Sequence, residues 1–255
     1  MINRFGQESK LIIGTGCREG RTVLEEVSFT APYKIAKPFY GADGTMRLTV
    51  MTASAGLMSG DRCHIQAEIG AGSKVEIGTQ AFAKIHKMND GFARQQTEIR
   101  VAAGASLRFL PLPVLPFAGS AMQNDTRITL EKGAALQYAE VLSCGRYTRG
   151  EKFQYAAYQA LTELRYDGKL VFRDNTRLVP GEQDLSGIGF YEGFLHQATG
   201  ILFNSGRLPE ALRDRLAQDQ EIEYGLTEIG GGGLVIRILG RSAQSLYDIL
   251  NNPVG

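Results

Sequence analysis

Three stretches decide the fold: IQAEIGAGSKVEI (Ile65–Ile77), IRVAAGASLRF (Ile99–Phe109) and ITLEKGAALQY (Ile128–Tyr138). Each reads as an alternating strand, a glycine turn and a second alternating strand. The turn glycines Gly72, Gly104 and Gly133 recur roughly every 30 residues. Three positions before the glycine stand Ile69, Val101 and Leu130. Three after it stand Val75, Leu107 and Leu136, and five after it Ile77, Phe109 and Tyr138. The position between is polar each time: Glu76, Arg108, Gln137. A period of two marks half-buried strands with one inward face, and glycine supplies the backbone freedom of a tight corner. One such unit cannot bury its own apolar face, so copies must stack or a second sheet must cover them. The fold class is therefore mainly β, a β-helix-like or layered stack of many short strands. The parity does not say whether each glycine joins antiparallel strands or turns a coil.

The surroundings fit that reading. Asp167-Gly168, between Leu164-Arg165-Tyr166 and Leu170-Val171-Phe172, is a two-residue hairpin signal. Arg47–Met51 and Leu234–Leu239 read as further strands. Helical spacing appears only late. One short C-terminal helix is expected at about 207–219, with Leu208, Ala211, Leu212 and Leu216 on one face, Ser205 as an upstream cap and Pro209 in the first turn. A second is expected at about 242–251, with Leu246, Ile249 and Leu250 on one side. No composition shift marks a linker, so a single β domain over residues 1–255 is expected.

Composition narrows the function. Lys and Arg number 28 against 27 Asp and Glu, a balance that argues against binding nucleic acid through phosphate neutralisation. The longest uncharged stretch, Phe109 to Asn124, holds Pro111, Pro113 and Pro116, which a membrane helix would not tolerate. Met1–Leu11 carries charges and lacks the apolar core of a signal peptide. A cytoplasmic protein is the expectation. Cys17, Cys63 and Cys144 are too few and too scattered for a disulfide framework, and without a CxxC pair a closed zinc site is not expected.

The familiar catalytic motifs are missing. Gly14-Thr15-Gly16-Cys17-Arg18-Glu19-Gly20 looks like a dinucleotide turn, but Arg21-Thr22-Val23-Leu24-Glu25 continues as a strand where a helix is needed. GxxxxGK[ST], HExxH and GxSxG do not occur. Cys63 and His64 are strand neighbours and point to opposite faces. His64 and Glu68 share a face about 13 Å apart, too far for joint ligation.

Two stretches resist a purely structural reading: Ser54–Asp61, a glycine-rich turn, and Leu110–Ser120, apolar and rich in proline. The second either covers a sheet edge or presents a surface to a partner. With them the sequence resembles the urease accessory protein family of the D/H type, a component of the nickel-insertion chaperone for urease. The resemblance is carried in order by Gly20–Leu24, Ala31–Ile35, Lys37–Tyr40, Gly56–Asp61, Thr79–Ile85, Leu112-Pro113, Pro116–Ser120, Glu140–Leu142 and the segment from Gly145-Arg146 to Arg149-Gly150-Glu151. It covers roughly residues 20 to 175.

The resemblance implies a mainly β protein with two helices and no reaction of its own. It implies binding to apo-urease and recruitment of two partners, the F-type accessory protein and the G-type GTPase. It also implies that Ni²⁺ is carried transiently through an internal tunnel, with no permanent cofactor. A conduit needs donors that release the ion, and carboxylate, hydroxyl and amide oxygens exchange faster than thiolates or paired imidazoles. Asp61, Glu68, Thr79, Gln80 and Glu140 are the candidates, being in or beside the matching blocks or on polar strand faces. The plain alternative makes Asp61 a turn cap and Glu68 a solvated strand residue. On the metal path, Lys84 or Arg146 would pair with a buried carboxylate while no metal is bound. Pro113, Pro116 and Phe117, with the C-terminal helices, are the candidates for partner docking. Two rival readings are a β-helical enzyme, either an acyltransferase or carbohydrate-active, and a purely structural β-scaffold.

Overall fold

A computed structural model describes residues 6, 8–204 and 210–251 of the chain. In chain order the first strands are β1 (Glu8–Arg18), β2 (Arg21–Phe29), β3 (Tyr33–Ile35), β4 (Phe39–Tyr40), β5 (Met46–Thr52) and β6 (Arg62–Ile69). Then come β7 (Lys74–Thr79), β8 (Ala83–Ile85), β9 (Ala93–Val101), β10 (Ser106–Leu110), β11 (Val114–Pro116) and β12 (Ala121–Leu130). The last are β13 (Ala135–Ser143), β14 (Ala157–Tyr166), β15 (Lys169–Leu178), β16 (His196–Phe203), β17 (Ile222–Ile229) and β18 (Gly233–Gly240). Helix α1 (Glu210–Gln218) lies before β17, and α2 (Ala243–Asn251) follows β18.

The glycines turn a coil. Strands β6, β9, β12 and β14 pair in parallel in one sheet, in the order β15-β14-β12-β9-β6-β1-β2. Their successors β7, β10 and β13 pair in parallel in the other, in the order β17-β18-β16-β13-β10-β7-β5-β3. The chain thus crosses between two sheets at every glycine corner, in a β-solenoid-like stack of about four turns. Antiparallel strands close both edges. Asp167-Gly168 makes the β14–β15 hairpin, with φ of 48° and 76°, the left-handed pair that such a turn requires. Glu19-Gly20 does the same between β1 and β2, so the glycine-rich opening is a hairpin and not a nucleotide site.

The register superposes the sequence repeat. Ile69 pairs with Val101 and Val101 with Leu130; Val75, Leu107 and Leu136 align, as do Ile77, Phe109 and Tyr138. All are buried between the sheets, where full burial of a large apolar side chain contributes about 1.5–3 kcal/mol. The outer polar positions acquire a second role. Glu76, Arg108 and Gln137 lie side by side, and Arg108 bonds Glu76 at 2.6 Å. Arg108 Nη2 and Gln137 Nε2 donate to the carbonyls of Asn251 and Leu250, both at 2.6 Å, satisfying the open C-terminus of α2. Helix α2 buries Leu246, Ile249 and Leu250 against Ala139, Val141, Ile236 and Ile238, with Leu212 and Leu216 of α1 alongside. Both expected helices are present; Ser205, Leu208 and Pro209 lie outside the described residues.

The proline-rich segment is a third, short side of the coil. Its β11 pairs in parallel with β8 and touches β13. Phe117 N donates to Ile85 O at 2.9 Å, and Leu112 N to Thr79 Oγ1 at 2.9 Å. Proline fits this side because the corner needs few ladder donors.

Candidate functional site

The inner face of the stack changes character along its strands. Next to the glycine corners it is wholly apolar. Two residues further from them, one row of the first sheet runs Ile65, Thr97, Thr126, Thr162 and Asp174 from β6 to β15. Beside it stand Gln95 and Asn124, linked at 3.4 Å. On the facing sheet a row runs Glu140, Thr199 and Arg237 across β13, β16 and β18. Thr97, Thr126, Thr162 and Asn124 are buried. These side chains share the parity of the core, and together they form a polar corridor between the sheets.

Glu140 sits at its centre. Tyr138 Oη donates to Glu140 Oε2 at 3.0 Å and lies 3.5 Å from Thr126 Oγ1; Thr162 Oγ1 donates to Glu140 Oε1 at 3.4 Å. Burial raises the Glu140 carboxyl above the usual carboxylate range, and nearby Asp174 adds to this. The hydroxyl bonds from Tyr138 and Thr162, and the Arg237 charge, pull the other way. Burial likewise drives the phenols of Tyr138 and Tyr158 upward, so both stay neutral donors.

Two spaces adjoin the corridor. A cavity of about 180 Å³ takes Thr79, Gln95, Asn124, Thr126, Tyr138 and Glu140 as its polar wall. A more open cleft of about 570 Å³ lies between β15 and the β17–β18 edge, lined by Asp174, Thr176, Thr199, Glu223 and Arg237. Glu140 faces the cavity, and its row neighbour Thr199 faces the cleft. At the boundary Arg237 Nη2 meets Asp174 Oδ1 at 3.0 Å, an ion pair from one sheet to the other.

Of the five residues expected on a metal path, Thr79 and Glu140 come together at the cavity. The others do not. Asp61 Oδ2 accepts the Met58 amide at 2.8 Å and caps its turn. Glu68 points outward and pairs with Arg100 at 3.3 Å, because its parity places it opposite the inward Ile69. Gln80 is exposed beyond the end of β7. Of the two expected counter-charges, Arg146 engages Glu151 and holds that carboxyl below its usual range, while Lys84 lines the same cavity as Glu140 without an ion pair to it among the described residues.

The docking candidates lie on the proline-rich side of the coil. Pro113 and Pro116 are buried. Phe117 is half-buried, with the Arg146 guanidinium 3.9 Å from its ring centre and the His86 ring edge-on at 4.9 Å. Between β8 and β13 the segment is a paired side of the coil, and its Leu112, Val114, Leu115 and Phe117 are half-buried. The histidines are dispersed. His64 lies 3.8 Å from Glu8, His86 Nε2 lies 3.0 Å from Ala55 O, and His196 is buried with its pKa lowered to about 4 by desolvation. Among the described residues no three His, Cys, Asp or Glu side chains cluster to hold a metal.

Thr126, Thr162, Asp174, Thr199 and Arg237 were not singled out from sequence. The available signal was polar residues in step with apolar ones, as in Met122, Asn124, Thr126, Ile128 and Leu130 of β12.

Over residues 7–253 the chain matches the model of the UreD urease accessory protein family. The chain belongs to that family. It is 42% identical over 254 residues to the urease accessory protein UreD of Acetivibrio thermocellus, covering 98% of this chain and 97% of the relative. It is 31% identical over 249 residues to UreH of Helicobacter pylori strain G27, covering 97% and 94%. It is 30% identical over 246 residues to UreD of Flavobacterium johnsoniae, covering 94% and 88%. The similarity to UreD and UreH proteins therefore extends over the C-terminal third, which carries Arg237. Among the described residues no helix is long and apolar enough to cross a membrane.

Proposed function

We propose that this chain serves urease maturation as a cytoplasmic, non-enzymatic scaffold that escorts Ni²⁺ along the polar corridor towards apo-urease. The single observation that carries this reading is Glu140. It is a carboxylate enclosed between two sheets and facing a cavity, and its hydrogen-bond partners among the described residues are hydroxyls. Burying a carboxylate in that way costs stability unless a cation visits it. Hydroxyl, amide and carboxylate oxygens spaced along the corridor offer a divalent ion weak footholds that it can leave.

The same reading assigns nucleotide hydrolysis to a G-type GTPase partner, since this sequence has no P-loop, and has the chain recruit that partner together with an F-type accessory protein. The test is to co-produce a Glu140→Gln chain with urease and its accessory proteins, then purify urease and measure bound nickel. Nickel content is expected to fall while the accessory complex still assembles. Full nickel loading with an intact complex would overturn the proposal.

A further inference from the structure

The charged members of the two polar rows are Glu140, Asp174 and Arg237. The first two are carboxylates suited to a passing cation. The third is a fixed cation placed at the boundary between the open cleft and the enclosed corridor. Its position is not a surface accident. Arg237 shares the inward parity of Val235, a core residue, and reaches across the gap to β15. Asp174, its partner, is largely buried, with a side-chain exposure of 17% against 55% for Arg237. The guanidinium therefore keeps one side open to the cleft, where it can swing away, while the carboxylate stays in place.

We propose that the Arg237–Asp174 ion pair is an electrostatic latch on the cleft end of the corridor. The guanidinium occupies the carboxylate that an entering or leaving divalent cation would use, and it must move into the cleft before the ion passes. Charge balance favours the exchange. With the latch closed, two carboxylates face one positive charge. With a divalent ion in its place, both carboxylates are matched. A guanidinium is the suitable plug, because it stays charged and bonds a carboxylate directionally, and with its side chain already more than half exposed it gives up little burial on release into the cleft. The closed latch also repels a free cation at the mouth, which keeps the corridor from filling without a docked partner.

This inference rests on the nickel-escort reading, and its test separates the two. Nickel chloride is titrated into the full-length chain, alone or with the accessory proteins that keep it in solution, and binding is followed by equilibrium dialysis. Arg237→Gln is expected to tighten binding about tenfold, the effect of removing one nearby positive charge from a screened, partly exposed site. Arg237→Lys, which keeps the charge and loses the directional guanidinium bonds, is expected to bind more weakly than Arg237→Gln. Arg237→Gln combined with Asp174→Asn is expected to lose the gain. Unchanged or weaker binding by Arg237→Gln, or an equal gain in the double variant, would overturn the latch. If Arg237→Gln does not fold, amide exchange of the unaltered chain decides. Added nickel chloride is expected to speed exchange in β15 and β18 around Asp174 and Arg237, and unaltered exchange there would overturn the latch. Loss of nickel delivery in Glu140→Gln together with a silent Arg237→Gln would reject the latch alone. Full delivery by Glu140→Gln would reject the escort reading beneath it.

Discussion

The two ends of the inner strands are built from one repeat and differ in chemistry. Near the glycine corners the facing rows are Ile, Val and Leu, and the register is the sequence repeat itself. Away from the corners the same parity carries Thr97, Thr126, Thr162 and Asn124 opposite Tyr138 and Glu140. The corner half gains stability from close packing. The far half gives some of it up, because buried hydroxyls and a buried carboxylate return little net energy even when bonded. A stack meant only to be stable would continue the apolar rows. The contrast supports the proposal that puts the nickel path in the half that folding alone does not favour.

The comparison can be broken in three ways. The largest effect is expected in the corner half. Leu107→Ala should cost about 2–5 kcal/mol by leaving a cavity between Val75 and Leu136. Denaturant unfolding measures it, and nickel delivery per folded chain should be unchanged. A smaller loss would mean that the corner half is loosely packed.

The second effect has the opposite sign. The folded pKa of Glu140 lies above its unfolded value of about 4.5. The folded state then holds this proton more tightly than the unfolded one, so the Glu140 contribution falls as pH rises above about 4.5 through the folded pKa. Glu140→Gln should therefore be more stable than the unaltered chain at pH 7 to 8, with the advantage gone below the unfolded value. Unfolding curves across that range read it directly, and a Gln variant less stable at pH 7 would break the contrast.

The smallest effect is expected at Thr126→Val, which exchanges one buried hydroxyl for a methyl group of similar size. Tyr138 keeps its bond to Glu140, so stability should move by less than about 1 kcal/mol. Urease nickel content should fall, although by less than in Glu140→Gln.

The repeat, the Asp167-Gly168 hairpin and the apolar face of α2 were legible because they depend on short-range rules. A period of two sets a face, glycine and Asp-Gly set corners, and helical spacing sets a stripe. The site was only partly legible. Glu140 and Thr79 were reachable from sequence, whereas Glu68 was misplaced by its polarity: on a strand, parity decides which way a side chain points, and Glu68 is out of step with Ala67 and Ile69. Pro113, Pro116 and Phe117 looked like a free surface because their composition does not reveal that β8 and β13 lie beside them.

By itself, the amino-acid order determined that this chain is a stack of glycine-cornered strands with an apolar inner face and two late helices. Each of those features is encoded within a dozen residues. Only the tertiary structure decided that the corners turn a coil, that Arg108 and Gln137 hold the end of α2, and that Glu140, Asp174 and Arg237 meet between the sheets. Those groups are separated by tens of residues along the chain, and their meeting depends on strand order and register, which no local pattern specifies.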